Sequence, residues 1–480
     1  MRERKPASRS CEYCEGDTCE ILTAPAYSGL VPEFPYSRLR RWPDVEAENL
    51  QAHDATDLLL VERARDSGVD GSQVAVIGDE YGAITLALVH AGLRGIRVHQ
   101  DLATGRRALA RNAQELGLVS APGSGEGDGA ARPLRGASAA PEPGRGEDDG
   151  AAHRLRGAHG APETTGPGSD LPFVPHELDE ALLRGARLVL LQLPKALAQL
   201  EEIADAVARW AAPDVVLVAG GRVKHMTLAQ NEVLARRFAD VQPQRAERKS
   251  RLVVASSPLP VPAAPPFPVR EQHDGLTLVA HGGAFAGARL DIGTRVLREV
   301  LGLDGSQLRR NGRVRADSSP YRPENADSSG VVNGEGRRVL DLGCGTGALA
   351  VTWALAHPGD AVTATDRSAA AVASARATVD ANGVADRVAV THDDAGSALP
   401  DGSFDTVLLN PPFHLGSSVH TGAATRLFEA AARLLRPGGE LLAVYNSSLG
   451  YRPELTRLIG RTEQLRRTPK FTVTRSVRRP

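Results

Sequence analysis

The chain has 480 residues, a formal net charge of −1, 41% hydrophobic residues and only 4% aromatic residues. At about 150 residues per domain, this length predicts two or three domains with aliphatic, alanine-rich cores. A near-neutral chain is not a basic nucleic-acid binder overall, and no apolar run reaches the roughly 18 residues of a transmembrane helix. Because no apolar segment follows the basic amino terminus, we expect no secretory signal and a cytoplasmic protein without a membrane partner.

Residues 1–44 read as an amino-terminal tail that contains three of the four cysteines, Cys11, Cys14 and Cys19. So few cysteines in a chain of this length exclude a disulfide scaffold. A zinc site needs a fourth ligand, and none is obvious nearby. We therefore expect no metal site in this tail.

Two blocks follow, at 45–255 and 271–480, joined by a proline-rich linker at 256–270. The inserts 120–170 and 304–336 are too poor in apolar residues to order themselves. In the second block, strands are predicted at 338–342, 361–365, 387–391, 405–409 and 440–445, and helices at 347–356 and 368–382. This alternation predicts an α/β fold with a mainly parallel sheet covered on both faces.

The two blocks also resemble each other in sequence. At an offset of 265 positions the aligned pairs are Gly78 with Gly343, Gly82 with Gly347, Ala83 with Ala348, and Asp101 with Asp366. Further on, the segment 188–195 aligns with 406–413 at a smaller offset. The difference between the two offsets is close to the length of the insert 120–170. We interpret the repeat as an ancestral duplication.

A glycine-rich loop follows the first apolar strand of the second block. Asp341 stands at the end of the strand, and Gly343, Gly345 and Gly347 follow at alternate positions. Glycines let the backbone turn tightly and leave no Cβ between chain and ligand, and the helix behind them offers free N–H groups. The spacing is not the dinucleotide fingerprint. It resembles the loop of class I methyltransferases, which implies S-adenosylmethionine as the cofactor.

Acidic residues end the next two strands. Asp366 stands where a carboxylate can accept both ribose hydroxyls of an adenosine. By resemblance to the family, Asp394 would lie beside the adenine amino group, with Asp393 as the alternative.

The segment from Asn410 to His414 follows the fourth strand and reads Asn-Pro-Pro-Phe-His. The prolines Pro411 and Pro412 end the sheet and fix the backbone over the ligand crevice. An exocyclic amine is a poor nucleophile, because its lone pair is delocalised into the base. The Asn410 side-chain oxygen and the Pro411 carbonyl can hold its two hydrogens and so orient the lone pair, while Phe413 offers a face for base stacking.

This motif resembles that of methyltransferases acting on amino groups of adenine, guanine or glutamine. Its extended form is similar to that of the tandem-domain bacterial ribosomal RNA guanine-N2 methyltransferases, of both small- and large-subunit types. The segments 285–294 and 445–473 in the second block, and 193–195 and 221–227 in the first, resemble the same family. The resemblance implies two tandem class I methyltransferase-like (Rossmann-like) domains, the amino-terminal one degenerate. Its implied partner is ribosomal RNA or a ribosomal subunit assembly intermediate, bound by a monomer.

The first block has lost the residues that carry the chemistry. Glu80 stands in the place of Gly345, where it would fill the cofactor's place, and Gln192 and Lys195 replace Asn410 and Phe413. Basic residues that could grip phosphates in this block, or could equally be ordinary solvated side chains, are Arg222, Lys224, His225, Arg236 and Arg237. The candidates at the carboxyl terminus are Arg466, Arg467, Lys470, Arg475, Arg478 and Arg479.

Two other functions remain open at this point. One is a protein glutamine methyltransferase acting on a release factor, although such enzymes more often have Tyr in the place of Phe413 and lack a twin domain. The other is a non-catalytic RNA-binding or ribosome-assembly factor, against which the intact glycine loop and Asn410 argue. An enzyme that methylates the N2 amine of a ribosomal guanine is the function that the sequence favours.

Overall fold

A computed structural model describes residues 33–47, 50–119, 171–303, 336–412 and 421–480, and the residues from Pro35 onward form one compact unit. The cysteines Cys11, Cys14 and Cys19 and the insert 120–170 lie outside the described residues. So do residues 304–335 and Phe413.

The first sheet has seven strands within the described residues. They are β1 (Val74–Ile77), β2 (Ile96–His99), β3 (Phe173–His176), β4 (Leu188–Gln192), β5 (Val216–Arg222), β6 (Phe238–Pro243) and β7 (Ser250–Pro258). Their spatial order is β3-β2-β1-β4-β5-β7-β6, with β7 antiparallel to both of its neighbours and the other pairs parallel. The helices of this half are α1 (Ala55–Ser67), α2 (Ala83–His90), α3 (Ala103–Glu115), α4 (Glu180–Leu183), α5 (Leu197–Trp210) and α6 (Leu228–Ala235).

The second half repeats this plan. After an antiparallel pair, β8 (Val269–His273) and β9 (Leu276–Ala280), the sheet strands are β10 (Arg338–Leu342), β11 (Ala361–Asp366), β12 (Val388–His392), β13 (Phe404–Leu409), β14 (Leu435–Asn446), β15 (Thr462–Arg467) and β16 (Phe471–Val477). Their order is β12-β11-β10-β13-β14-β16-β15, the same as in the first sheet. The helices are α7 (Ile292–Val300), α8 (Ala348–Ala356), α9 (Ala369–Ala381), α10 (Thr421–Leu434) and α11 (Arg452–Leu458).

Apolar side chains cover both faces of the second sheet. Leu340 and Leu342 pack on one side with Phe428 of α10, and Val339 packs on the other with Trp353 of α8. A parallel strand that is buried on both faces needs such a continuous apolar run. The strands could therefore be predicted from the sequence. The predicted α/β tandem fold is confirmed, and the strands predicted in the second block all form.

One detail of the predicted internal alignment is wrong. In the first sheet Ile77 pairs with His99, and in the second Leu342 pairs with Thr365. The next residue, Gln100, therefore takes the place of Asp366, and Asp101 lies one position beyond it. The local bonds agree, since Gln100 Oε1 accepts the Leu102 N–H as Asp366 Oδ1 accepts that of Ser368.

Candidate active site

A cavity of about 350 Å³ opens at the carboxyl ends of β10, β11 and β13. The residues proposed from the sequence that line it are Asp341, Gly343, Gly345, Asp366, Asp394, Asn410, Pro411 and Pro412. Gly347 stands just behind them, at the start of α8. The crevice outside the carboxyl ends of parallel strands is where α/β sheets bind ligands.

The glycine loop leaves room on the cavity side. Gly343 and Gly345 have φ angles of 75° and 54°, and a Cβ at either position would meet no atom within 4 Å. Gly347, at φ 77°, instead lies against Ala375 of α9, 3.2 Å from where its Cβ would be. Two glycines thus keep side chains away from ligand space, and the third permits close helix packing.

Two buried carboxylates hold this loop in place. Asp341 Oδ2 accepts the Ala350 N–H at 2.9 Å in the first turn of α8, and burial raises its pKa to about 7. Asp366 accepts the N–H groups of Gly345 and Ser368, each at 2.9 Å, and burial raises its pKa as well. Both carboxylates therefore shape the cavity in addition to lining it.

The acids that follow β12 have different surroundings. Asp393 accepts bonds from Asp394 N at 2.8 Å, Ser397 Oγ at 2.7 Å and Ala398 N at 2.8 Å, so it fixes the loop. Asp394 pairs with Arg426 of α10. Burial raises the pKa of Asp394 although that guanidinium opposes the shift.

Asn410 has an anchored nitrogen and a free oxygen. Its Nδ2 donates to Asp291 Oδ2 at 2.9 Å and to Thr294 Oγ1 at 3.1 Å. Its Oδ1 is buried and has no hydrogen-bond partner among the described residues. A buried acceptor left unpaired costs free energy, which points to a donor supplied from outside.

The residues that anchor Asn410 were not assigned a role from the sequence. Asp291 also caps α7, since its Oδ2 accepts the Thr294 N–H at 3.1 Å. Between them, Gly293 permits the close approach, because a Cβ there would lie 3.1 Å from Asp291 Oδ2 and 3.3 Å from Asn410 Oδ1. The segment 285–294 resembles the family in sequence. The sequence signal for this anchor is a polar helix cap beside a glycine.

The rim of the cavity offers an aromatic face. Phe285 lines the cavity and is 69% exposed, which is unusual for a large apolar side chain. Phe413 was predicted for a stacking role and lies outside the described residues.

The first sheet keeps a crevice in the corresponding place. This cavity measures about 450 Å³ and is lined by Glu80, Gln100, Gln192 and Lys195, together with side chains of the second half. Glu80 lines this space, and its predicted effect on cofactor binding stays a prediction. The Gln192 side chain donates through Nε2 to Asp57 of α1. At the places of Gly345, Asp366 and Asn410 the first crevice therefore has Glu80, Gln100 and Gln192.

Most basic residues proposed as phosphate contacts already have partners in the protein. In the first half Arg236 pairs with Glu201 at 2.9 Å, Arg237 with Asp205 at 2.8 Å and Arg222 with Asp54 at 3.7 Å. Near the carboxyl terminus Arg466 pairs with Glu299, the buried Arg475 pairs with Glu440 and Glu463, Arg478 donates to the Leu435 carbonyl, and Arg479 donates to that of Thr456. Lys224, His225, Arg467 and Lys470 are exposed.

The described part of the chain lacks two kinds of feature. No helix there is long and apolar enough to cross a membrane. Over the same residues, no group of His, Cys, Asp and Glu side chains could hold a metal ion.

Comparison with known proteins gives consistent matches over both halves. The Methyltransferase small domain model matches residues 329–475, and the RLMG N-terminal domain model matches 31–124 and 172–259. Ribosomal RNA large subunit methyltransferase G of Streptomyces coelicolor is 32% identical over 92% of this chain and 97% of that protein. The Pseudomonas aeruginosa protein of the same name is 31% identical, with the same coverage.

One solved structure shares the tandem fold. It is the Thermus thermophilus 16S rRNA N2 G1207 methyltransferase in complex with AdoMet and guanosine. The TM-score is 0.59 at 20% identity, over 89% of this chain and 92% of that chain.

Proposed function

Because the chain belongs to the family of ribosomal RNA large subunit methyltransferase G, we propose that it transfers a methyl group from S-adenosylmethionine to the N2 amine of a guanine in ribosomal RNA. The observation that carries this proposal is the buried, unpaired Oδ1 of Asn410 in the cavity of the second half. An exocyclic amine is a donor of the kind this oxygen lacks.

Asn410 orients the amine in this proposal. Asp291 and Thr294 hold Nδ2, so the side-chain amide keeps its oxygen toward the substrate. The oxygen accepts one amine hydrogen and the Pro411 carbonyl accepts the other, which directs the nitrogen lone pair out of conjugation with the base. The methylated amine is cationic and acidic, so it releases its proton without a strong general base.

The cavity residues fit the proposed cofactor. A volume of about 350 Å³ falls within the roughly 300–1,000 Å³ of small-molecule pockets. Gly343 and Gly345 leave the wall free of side chains, Gly347 lets α8 pack closely against α9, and Asp366 would accept the ribose hydroxyls. Asp341 supports the loop, and Asp394 would lie beside the adenine. When bound, S-adenosylmethionine supplies an electrophilic methyl group on a sulfonium.

The guanine must leave its helix to reach this crevice. In a paired RNA the amine lies in the minor groove, so the base is unstacked and flipped at a cost of a few kcal/mol. Phe285 and Phe413 offer faces on which the flipped base stacks, worth about 1–3 kcal/mol per base. The exposed Arg467, Lys470 and Lys224 contact phosphates.

The partner is ribosomal RNA, either free or in a subunit assembly intermediate, and the names of the relatives favour the large subunit. In this proposal the enzyme acts as a monomer. An rRNA substrate places its action in the cytoplasm.

The test supplies the purified protein with methyl-labelled S-adenosylmethionine. Its substrates are ribosomal RNA from cells lacking the protein and, separately, a release factor. The labelled RNA is digested to nucleosides and separated. We expect label in N2-methylguanosine and none in the release factor. Label in protein glutamine, or in another nucleoside, would refute the proposal.

A further inference from the structure

Backbone hydrogen bonds link the two halves of the molecule at the segments that follow the equivalent strands β2 and β11. Ala103 N donates to the Arg367 carbonyl and Ala369 N donates to the Asp101 carbonyl, both at 2.8 Å. These bonds flank the antiparallel bridge between Leu102 and Ser368. The starts of α3 and α9, equivalent helices of the two halves, are therefore paired across the junction.

The Asp101 carboxylate caps a helix of the other half. Its Oδ1 accepts from Ser368 Oγ at 3.1 Å and from Ala370 N at 2.9 Å. A carboxylate at a helix amino terminus satisfies free N–H groups and interacts favourably with the helix dipole. This contact fixes the segment directly after Asp366.

Arg107, one turn further along α3, holds the second loop. Its guanidinium donates to Asp393 Oδ1 at 2.5 Å and to Ser397 Oγ at 2.7 Å. The Asp393 side chain is only 5% exposed, whereas that of Arg107 is 38% exposed. A charge-assisted bond to a nearly buried carboxylate has more effect than an ordinary surface ion pair.

Both segments held in this way are walls of the second-half cavity. Asp366 and Arg367 line it on one side, and Asp393 and Asp394 line it on the other. We propose that the first half, which lacks an intact site of its own, positions the adenosine-binding walls of the second, and that Arg107 and Asp101 are positioning residues for the cofactor. This inference rests on the proposed function for the identity of the cofactor.

Arg107→Ala in the full-length protein tests the inference without RNA. Calorimetry should show weaker binding of S-adenosylhomocysteine by about tenfold, the order of one charge-assisted hydrogen bond. Methylthioadenosine, which contains the adenosine half alone, should weaken by the same factor. Arg107→Lys, which keeps the charge, should recover part of the affinity.

Arg111→Ala is the matched control. Arg111 lies one turn along the same helix and pairs with Glu115 of its own half at 2.6 Å, so this variant should bind both ligands as the wild type does. In the ligand-free protein, hydrogen exchange of residues 393–398 should quicken in Arg107→Ala and stay unchanged in Arg111→Ala. In methyl transfer to RNA with the cofactor concentration varied, Arg107→Ala should raise KM for S-adenosylmethionine. At saturating cofactor it should leave kcat and KM for RNA unchanged.

Unchanged ligand affinity in Arg107→Ala would overturn the inference, as would a loss shared by Arg111→Ala. If Arg107→Ala does not fold, Arg107→Lys and Asp101→Asn carry the same binding measurement, and wild-type affinity in both would overturn it. Failure to methylate RNA would contradict the proposed function, but it would leave these binding results intact.

Discussion

In the proposed mechanism, Asn410 is the residue on which the chemistry depends. One end of its amide is tied to Asp291 and Thr294, and the other end, the buried oxygen, is open to the cavity. The arrangement costs stability in the ligand-free protein, since a buried acceptor has no bond. Such unsatisfied groups are typical of sites that act on a ligand.

Asn410→Ala should separate binding from chemistry. The variant removes one acceptor and leaves the glycine loop and Asp366 in place, so S-adenosylhomocysteine affinity should change little. Methyl transfer in single-turnover assays should fall by about 10²-fold or more, the scale of losing one well-placed polar group at a reacting centre. Transfer at the wild-type rate would show that the motif is only a structural turn.

Asp341 should leave a signature in the pH dependence of stability. Burial raises its pKa to about 7 in the folded protein, against about 3.9 in an unfolded chain. Between these values the folded state keeps a proton that the unfolded state releases, so this group's contribution to stability falls as pH rises.

Asp341→Asn is neutral in both states and removes this dependence. The free energy of unfolding of the variant, relative to the wild type, should increase from pH 5 to pH 7 and then level off. Denaturant unfolding of the cofactor-free proteins at pH 5, 6, 7 and 8 measures the difference. A difference that does not vary with pH would mean that Asp341 ionises normally.

At the scale of secondary-structure elements, helix α7 determines the orientation of the Asn410 side chain. Asp291 caps the helix and accepts from the Asn410 amide, and Thr294 on the first turn accepts from the same nitrogen. The equivalent feature in the first half is α1, where Asp54 caps the helix and Asp57 accepts from Gln192. Each half thus has a carboxylate that anchors an amide side chain at the end of the fourth strand.

Thr294→Val should change the orientation of the Asn410 side chain without changing cofactor affinity. The substitution keeps the shape of the side chain but removes one of the two acceptors for Asn410 Nδ2. We expect kcat to fall by about tenfold, the order of one hydrogen bond, with S-adenosylhomocysteine affinity unchanged. Thr378→Val is the control, because Thr378 Oγ1 accepts the Val279 N–H away from the cavity. Equal losses of kcat in both variants would contradict a specific role for Thr294.

The sequence allowed the local features of this fold to be predicted, and it failed where distant segments meet. Apolar runs located the strands, and the glycine loop and Asn410 were recognisable from short motifs. The bond from Asn410 to Asp291 joins residues 119 positions apart, and no local pattern encodes it. Charge counts could not separate the buried Arg475 from the exposed Arg467, because both lie in one basic segment.

The internal alignment shows a similar limit. In the sequence, Asp101 and Asp366 are separated by the same number of positions as the aligned glycines. The strand registers nevertheless make Gln100, and not Asp101, the structural equivalent of Asp366. A difference of one residue in the length of the connecting segment changes which side chain reaches this position, because successive side chains along a strand point to opposite faces. Asp101 still lines the first crevice, and its carboxylate caps α9 in the second half.

At the scale of the whole molecule, two sheets of the same topology provide a single intact site. The first crevice has Glu80 and Gln100 where the second has Gly345 and Asp366, and residues of the second half also line it. In the account proposed above, the first half has no working site and instead supports the site of the second half.

The protein should therefore bind one equivalent of S-adenosylmethionine. Gly345→Val places a side chain in the ligand space at a left-handed backbone position, so it should abolish binding. Glu80→Ala, at the corresponding place in the first crevice, should leave affinity and stoichiometry unchanged. Calorimetric titration that gives two equivalent sites would be inconsistent with a degenerate first half.

The most direct measurement is made on ribosomal RNA from cells. RNA from a strain lacking this protein, and from the same strain expressing either the wild type or Asn410→Ala, is digested and analysed by mass spectrometry for N2-methylguanosine. We predict that one such nucleoside is missing from the large-subunit RNA of the deletion strain, returns with the wild type, and does not return with Asn410→Ala. An unchanged content of N2-methylguanosine in the deletion strain, or its full return with Asn410→Ala, would contradict this account.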